Sequence, residues 1–156
     1  MLCSLLHNNV LIAGLLSWTI GQFLKAPLDY VLNKRWNWGI ILSPGGMPSS
    51  HSALVTSVTL AIGLQEGIDT PLFALSFAIG MVVVYDAAGV RRQAGIHAER
   101  INEMMESFFK GSGIPEKELK EVLGHTPVEV ITGVILGIII SIVLYWLLPV
   151  SPATSC

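Results

Sequence analysis

Long apolar stretches alternate with short polar segments along this chain. Four of them, at residues 5–24, 52–64, 71–85 and 128–150, contain only one charged residue between them, Glu129. A helix needs about 20 mostly apolar residues to cross the hydrocarbon core of a membrane. The first and last stretches meet that length, whereas residues 52–64 are short and carry four Ser or Thr. We expect four crossings, with a buried or partly embedded helix as the alternative for residues 52–64.

Composition supports this interpretation. Hydrophobic residues make up 52% of the chain and charged residues only 13%, and the mean hydropathy is +0.64. Soluble domains usually carry about 25% charged residues. Cys3 and Cys156 show no metal-binding spacing, and the net charge of −2 gives no support for nucleic-acid binding. The sequence therefore predicts a single membrane-embedded domain over residues 1–156, an all-α, polytopic transmembrane helical bundle.

The basic residues indicate an orientation. If the four stretches cross, all nine Lys and Arg lie on one side, within residues 25–50 and 86–127. Cytoplasmic loops of membrane proteins are enriched in Lys and Arg. We therefore expect these loops at the cytoplasmic face of a bacterial inner membrane, or the stromal or matrix face of an organelle membrane. Both termini would then lie on the opposite side.

Short amphipathic helices are expected on the basic side. In residues 97–109, apolar side chains recur at helical spacing opposite charged ones. Such a helix lies on the membrane surface or packs against the protein's own loops, and the pattern does not choose between them. The Gly-Ser-Gly run at residues 111–113 ends it, and Pro115 opens a second, charged helix.

A Pro/Gly-rich segment at residues 44–52 is the first candidate for chemistry. Glycines such as Gly46 let the backbone turn its N–H groups toward a ligand, and Ser49 or Ser50 can cap the following helix. The N-terminus of that helix attracts an anion, and His51 beside the anion can donate a proton. Taken alone, the segment is equally typical of an ordinary loop before a capped helix.

Paired arginines form the second candidate, where residues 71–85 emerge from the membrane. The planar donor forks of Arg91 and Arg92 suit phosphate oxygens. Basic residues at this depth also serve as interfacial anchors that fix topology. Asp86 either orients one arginine or ends the helix.

The third candidate opens the last apolar stretch. In one interpretation His125 is a nucleophile and Glu129, four residues on, accepts its other ring N–H. In the other, Thr126 and Glu129 form a capping box and Pro127 occupies the first helical turn.

Topology joins the three candidates, because each segment lies at the basic face. Two histidines, two arginines and a Gly-rich helix start form a complete set for phosphoryl transfer, with no cofactor and no metal site required. One histidine attacks phosphorus, the other protonates the leaving oxygen, and the cations hold the charge.

At these residues the sequence resembles the divergent type-2 phosphatidic acid phosphatase (PAP2) group, which is related to acid phosphatases and vanadium-dependent haloperoxidases. The similarity runs from about residue 25 to residue 137. It is carried by GGMPSSHSA at 45–53, DAAGVRR at 86–92 and LGHTPVEVITGVILG at 123–137.

The resemblance implies roles for individual residues. His51 would be the general acid, His125 the nucleophile that forms a phosphohistidine, and Glu129 the residue that orients it. The expected phosphate-binding residues are Lys25, Gly46, Ser49, Ser50, Arg91 and Arg92. The sequence departs from the wider superfamily in having Ser50 where a glycine is expected, Glu129 where an aspartate is expected, and a long segment between the arginines and His125.

We therefore expect a metal-independent phosphatase acting on a lipid phosphate monoester or diphosphate. The alternatives are a non-catalytic binding or assembly factor that keeps the phosphate site, and a phosphatase for a soluble phosphoester. The expected partners are the lipid phosphate substrate and membrane lipids, with a homo-oligomer or a larger membrane complex left open. Gly133 and Gly137 allow close packing, within the bundle or in a dimer.

Overall fold

The computed structural model of the protein describes residues 7–34, 36, 38–42, 45–109 and 125–148. Within this part the chain forms five α-helices, one 3₁₀ helix and no strand. The elements are α1 (Asn9–Asn33), the 3₁₀ helix (Trp38–Leu42), α2 (Ser50–Glu66), α3 (Pro71–Ala88), α4 (Val90–Phe109) and α5 (Pro127–Leu147). The two cysteines and the helix predicted after Pro115 lie outside the described residues.

A polar cap marks the start of each bundle helix. The side chains of Asn8, Ser49, Thr70 and Thr126 each accept a backbone N–H from the first turn of the helix that follows. Such caps satisfy helix N–H groups that have no intrahelical partner. They explain why the starts of α2, α3 and α5 agree with the sequence prediction to within about two residues.

The predicted limits of two helices were wrong. The first helix was predicted over residues 5–24. It begins at Asn9, directly after its capping residue Asn8, and continues through Lys25 and Pro27 to Asn33. Lys25 does not end the helix because its side chain is buried within the fold. The third helix continues through Asp86 to Ala88, so Asp86 is not a helix end.

Small residues let the neighbouring helices approach α2 closely. A Cβ atom on Gly14 of α1 would lie 2.7 Å from Val58 Cγ2, and one on Gly137 of α5 would lie 2.5 Å from the Ala53 carbonyl oxygen. Close backbone approach at glycines is a common way for membrane helices to pack. The structure therefore assigns the Gly133 and Gly137 pair to packing within the bundle.

The contacts fix the relative directions of the helices. Along α1, Gly14 lies beside Val58 and Gly21 beside Ser50, so α1 and α2 are antiparallel. Helix α3 is also antiparallel to α2, because Gly63 meets Phe73 near its start. Helices α1 and α3 therefore run in the same direction, and α2 lies between them and runs in the opposite direction.

Helix α5 runs parallel to α2, which gathers the polar segments at one end. Gly133 meets Ser49, Gly137 meets Ala53, and Ser141 Oγ donates to the Ser57 carbonyl at 2.7 Å. The N-termini of α2 and α5 and the C-termini of α1 and α3 therefore share one end of the bundle, which we call the polar end.

The architecture is that of a helical membrane protein. Among the described residues, three helical stretches are long and apolar enough to cross a membrane: Asn9–Asn33, Pro71–Met105 and Pro127–Leu147. Helix α2, with 17 residues, is not one of them, and it is packed between α1, α3 and α5. Of the residues in α3 only Ala87 is buried, so α3 is the outermost helix of the bundle. The membrane side that the polar end faces stays a prediction.

Cysteine labelling tests that orientation. We expect a membrane-impermeant maleimide, added to intact bacterial cells, to label Ile68→Cys but not His97→Cys in a chain whose own cysteines are replaced by serine. Ile68 lies in the α2–α3 turn and is 74% exposed, and His97 is exposed on α4. Labelling of both positions from outside would contradict the four-crossing topology.

Alanine substitution at two glycines tests the packing of α5 on α2. We expect Gly137→Ala to lower the free energy of unfolding in detergent by about 1–3 kcal/mol, because its methyl group would overlap a backbone carbonyl. The matched control is Gly80→Ala, whose Cβ would meet Thr59 Oγ1 at an ordinary 3.5 Å. Equal thermal midpoints for the two variants would show that close packing at Gly137 is unimportant.

Candidate functional site

A histidine–glutamate pair lies at the start of α5. His125 Nδ1 is 2.8 Å from Glu129 Oε2, across the four-residue spacing that brings side chains together on a helix. His125 is only 3% exposed, and Glu129 is partly buried. The structure thus places the two side chains in contact, and the catalytic roles expected for them stay predictions.

Glu129 also caps its own helix. The same Oε2 accepts the backbone N–H of Thr126 at 3.4 Å, and the Glu129 N–H donates to Thr126 Oγ1 at 3.4 Å. This is a complete capping box. The capping box and the contact with His125 are therefore compatible, since one oxygen of the Glu129 carboxylate serves both.

The pairing determines which nitrogen of His125 is available for chemistry. With its proton on Nδ1, the ring donates to the carboxylate, and Nε2 carries the lone pair. Nε2 is buried and has no hydrogen-bond partner among the described residues. A carboxylate-oriented imidazole with a lone pair on its far nitrogen is the arrangement used by histidine nucleophiles and bases.

The Gly-rich loop is joined to this pair through the backbone. The Ser49 N–H donates to the Glu129 carbonyl oxygen at 2.9 Å. The Ser49 side chain caps α2 by accepting the Ser52 N–H at 3.4 Å, and Ser52 Oγ lies 3.0 Å from Ser49 Oγ. Both serines are buried. The start of α2 is thereby held against the first turn of α5.

Gly133 makes this contact sterically possible. A Cβ atom there would overlap the Ser49 carbonyl oxygen, so any side chain would push the loop away from α5. The contact between α1 and the start of α2 is close but less tight. A Cβ atom on Gly21 of α1 would lie 3.2 Å from Ser50 Cα.

Lys25 and Gly46 complete the buried part of the site. Gly46 has φ +90°, a conformation that favours glycine, and its Cα faces Ile40 and the aliphatic chain of Lys25. Lys25 is 1% exposed and lies close enough to Glu129 for their charges to attract each other. The Glu129 carboxylate therefore contacts the buried His125 ring and also attracts the buried Lys25.

Ser50 and His51 occupy the first turn of α2. The Ser50 hydroxyl is buried and has no hydrogen-bond partner among the described residues. His51 is exposed, two residues beyond the Ser49–Glu129 contact. The loop therefore brings one buried and one exposed polar side chain to the polar end.

The structure describes only the backbone positions of Arg91 and Arg92. Arg91 and Arg92 lie in the first turn of α4, and their side chains are outside the described part of the structure. Asp86 lies in the last turn of α3. The predicted binding of phosphate by the arginines and its support by Asp86 stay predictions. Within the described residues, no group of three or more His, Cys, Asp or Glu is placed to hold a metal ion.

Sequence reasoning missed two positions that shape the site. Ser52 was included in the candidate segment at residues 44–52 without a role of its own, although its hydroxyl lies within hydrogen-bonding distance of the capping Ser49. Gly133 was recognised only as a packing residue, and its contact with the loop before His51 was not foreseen. The four-residue spacing of Ser49 and Ala53 matches that of Gly133 and Gly137 and was the available signal.

Comparison with known proteins agrees with this architecture. The family model described as the Divergent PAP2 family matches residues 6–140. The uncharacterized membrane protein YuiD of Bacillus subtilis is 37% identical over 151 residues, which cover 90% of this chain and 96% of that protein. No solved structure matches the chain significantly. With a helical membrane architecture and a family match over most of its length, the chain is a membrane protein that belongs to the Divergent PAP2 family.

Proposed function

We propose that the protein is a metal-independent phosphatase that hydrolyses a membrane lipid phosphate through a phosphohistidine. The observation that carries this proposal is the His125–Glu129 pair, which leaves the buried Nε2 of His125 without a partner. Membership of a PAP2-like family supports it.

In the first step, the lone pair of His125 Nε2 attacks phosphorus and forms an N–P bond. The bond between phosphorus and the lipid oxygen breaks, and His51 donates a proton to that oxygen, which leaves as the lipid alcohol. Glu129 stabilises the positive charge that develops on the imidazole. For a diphosphate, the leaving group is the remaining lipid monophosphate.

In the second step, water attacks phosphorus and breaks the N–P bond. His51, now neutral, accepts a proton from this water, and inorganic phosphate leaves. His125 is restored with its proton on Nδ1, held again by Glu129. The cycle needs no redox change and no group beyond the side chains and water.

Several groups at the polar end fit a transferring phosphoryl group. The Ser50 hydroxyl is buried without a partner among the described residues, Lys25 supplies a positive charge, and Gly46 lies in the loop before α2, whose N-terminus attracts anions. Arg91 and Arg92 are proposed to add planar donors from the first turn of α4. We assign Ser49 to holding the loop, since its N–H bonds to the Glu129 carbonyl.

A lipid substrate fits the position of the site. The site lies at one end of a bundle with three helices long and apolar enough to cross a membrane, which puts it at the level of the headgroup layer. Phosphatidate, phosphatidylglycerophosphate and polyprenyl phosphates or diphosphates share the required chemistry. We propose that the polar end faces the cytoplasm or stroma.

A binding or assembly role is the second candidate. The burial of His125 and the replacement of the superfamily glycine and aspartate by Ser50 and Glu129 favour a site that holds phosphate without turning it over. Such a protein would bind lipid phosphate but form no phosphohistidine.

Phosphate release from purified protein separates these roles. We expect the wild type in detergent micelles to release phosphate from at least one long-chain lipid phosphate, and His125→Ala to release none. His51→Ala should lose nearly all release, on the order of 10²-fold or more. Vanadate should inhibit by occupying the position of pentacoordinate phosphorus, and EDTA should not.

Short-chain esters of the same headgroups are assayed beside the long-chain lipid phosphates, because a phosphatase for soluble phosphoesters would hydrolyse both equally well. If folded wild-type protein binds the lipids but releases phosphate from none of them, the catalytic proposal fails and the binding role stands.

A pair of variants separates the two contacts of Glu129. We expect Glu129→Gln to lower turnover on the order of 10²-fold or more with little change in stability, because the amide oxygen still caps the helix but carries no charge. Thr126→Ala should do the reverse, costing about 1 kcal/mol of stability through the lost cap while leaving most turnover. Stability comes from thermal unfolding and turnover from phosphate release. Unchanged turnover in Glu129→Gln would reduce Glu129 to a cap.

A further inference from the structure

Helix α4 presents two chemically different faces. On one face, large apolar side chains recur at helical spacing and are well exposed, from 41% at Met105 to 80% at Phe108. They are Ile101, Met104, Met105 and Phe108. The opposite face carries Glu99, Arg100 and Glu103, with an exposed ion pair of 2.9 Å between Arg100 and Glu103. The helix extends from Val90 to Phe109, seven residues further toward the N-terminus than the sequence pattern indicated.

The apolar face is not covered by the bundle. Among the described helices, α4 contacts only α3, its neighbour in the chain. Four large apolar side chains exposed on a protein surface need an apolar partner, because leaving them in water forfeits the free energy of their burial.

The position of α4 identifies the partner. Helix α3 passes almost directly into α4: the Gly89 N–H donates to the Tyr85 carbonyl and the Gln93 N–H to the Gly89 carbonyl. The combined stretch Pro71–Met105 has 35 residues. At 1.5 Å per residue it is about 52 Å long, well beyond the roughly 30 Å of a hydrocarbon core. The second half must therefore emerge at the polar end.

We propose that α4 is an interfacial helix, whose apolar face lies among the lipid headgroups and upper acyl chains at the polar end of the bundle. Helix α4 follows the exposed, apolar helix α3 directly in the chain, so it begins at the level where α3 leaves the hydrocarbon core. The charged face with the Arg100–Glu103 pair stays in water. An apolar face opposite charged residues is the signature of a helix lying in the membrane interface.

The bilayer fits better than a protein partner. A second copy or another protein would have to approach at the level of the headgroups, where lipid already surrounds α3. If the bilayer covers the apolar face of α4, no protein partner is needed to bury these side chains. The inference concerns the placement of α4 and does not depend on whether the protein hydrolyses lipid phosphate.

Spin labelling in vesicles tests the placement. Single cysteines, in a chain with Cys3 and Cys156 replaced by serine, are introduced at Ile101, Met104 and Phe108 on the apolar face and at Glu99 and Glu103 on the charged face. All five are exposed, so labelling should preserve the fold. The protein is reconstituted in phosphatidylcholine–phosphatidylglycerol vesicles, and collision with oxygen is compared with collision with a water-soluble nickel chelate.

We expect the ratio of oxygen to nickel collision to be several-fold higher at the three apolar positions than at the two charged ones. References are Val82→Cys on α3, 68% exposed and expected in lipid, and Ile68→Cys in the α2–α3 turn, expected in water. High nickel collision at all five positions would place α4 free in water and overturn the proposal. Low collision with both reagents at the apolar positions would show a protein cover, either residues 110–124 or a second copy, and would overturn it equally.

Discussion

The contact between the start of α2 and the first turns of α5 holds the polar end together. A single backbone hydrogen bond, from the Ser49 N–H to the Glu129 carbonyl, joins the loop before His51 to the helix that begins beside His125. It forms because Gly133 has no Cβ to occupy the space of the Ser49 carbonyl. Two segments 76 positions apart, from residue 49 to residue 125, thereby become one site. The glycine that permits close helix association therefore also sets the position of the loop before His51.

The charge balance of the site depends on one carboxylate. Glu129 Oε2 accepts from the His125 ring and from the Thr126 backbone, and it attracts the buried Lys25. A buried cation or imidazolium is tolerated when a partner compensates its lost hydration. The helix start, the orientation of His125 and the burial of Lys25 are thus coupled through the same side chain. The same pairing leaves Nε2 of His125 without a hydrogen-bond partner among the described residues.

The interior of the bundle explains why α2 does not resemble a membrane span in sequence. It is enclosed by three helices, and its polar groups bond to them: Thr59 Oγ1 donates to the Ser76 carbonyl of α3, and the Ser57 carbonyl accepts from Ser141 Oγ of α5. Helices α1, α3 and α5 are the ones long and apolar enough to cross a membrane. Polar residues are accepted in the central helix because the helices around it, rather than lipid, surround them.

Hydropathy, polar caps and an i, i+4 spacing are local properties. The membrane class, the four bundle helices, most of their limits and the closeness of His125 to Glu129 follow from them without any knowledge of the fold. The burial of Lys25, the continuation of α3 past Asp86 and the fit of the Ser49 loop against Gly133 are known only from the folded structure. The positions of Lys25 and of the Ser49 loop depend on contacts between residues far apart in the chain, which no local pattern encodes. The double role of one Glu129 oxygen, as helix cap and as partner of His125, also needed the folded structure, because both patterns use the same residue.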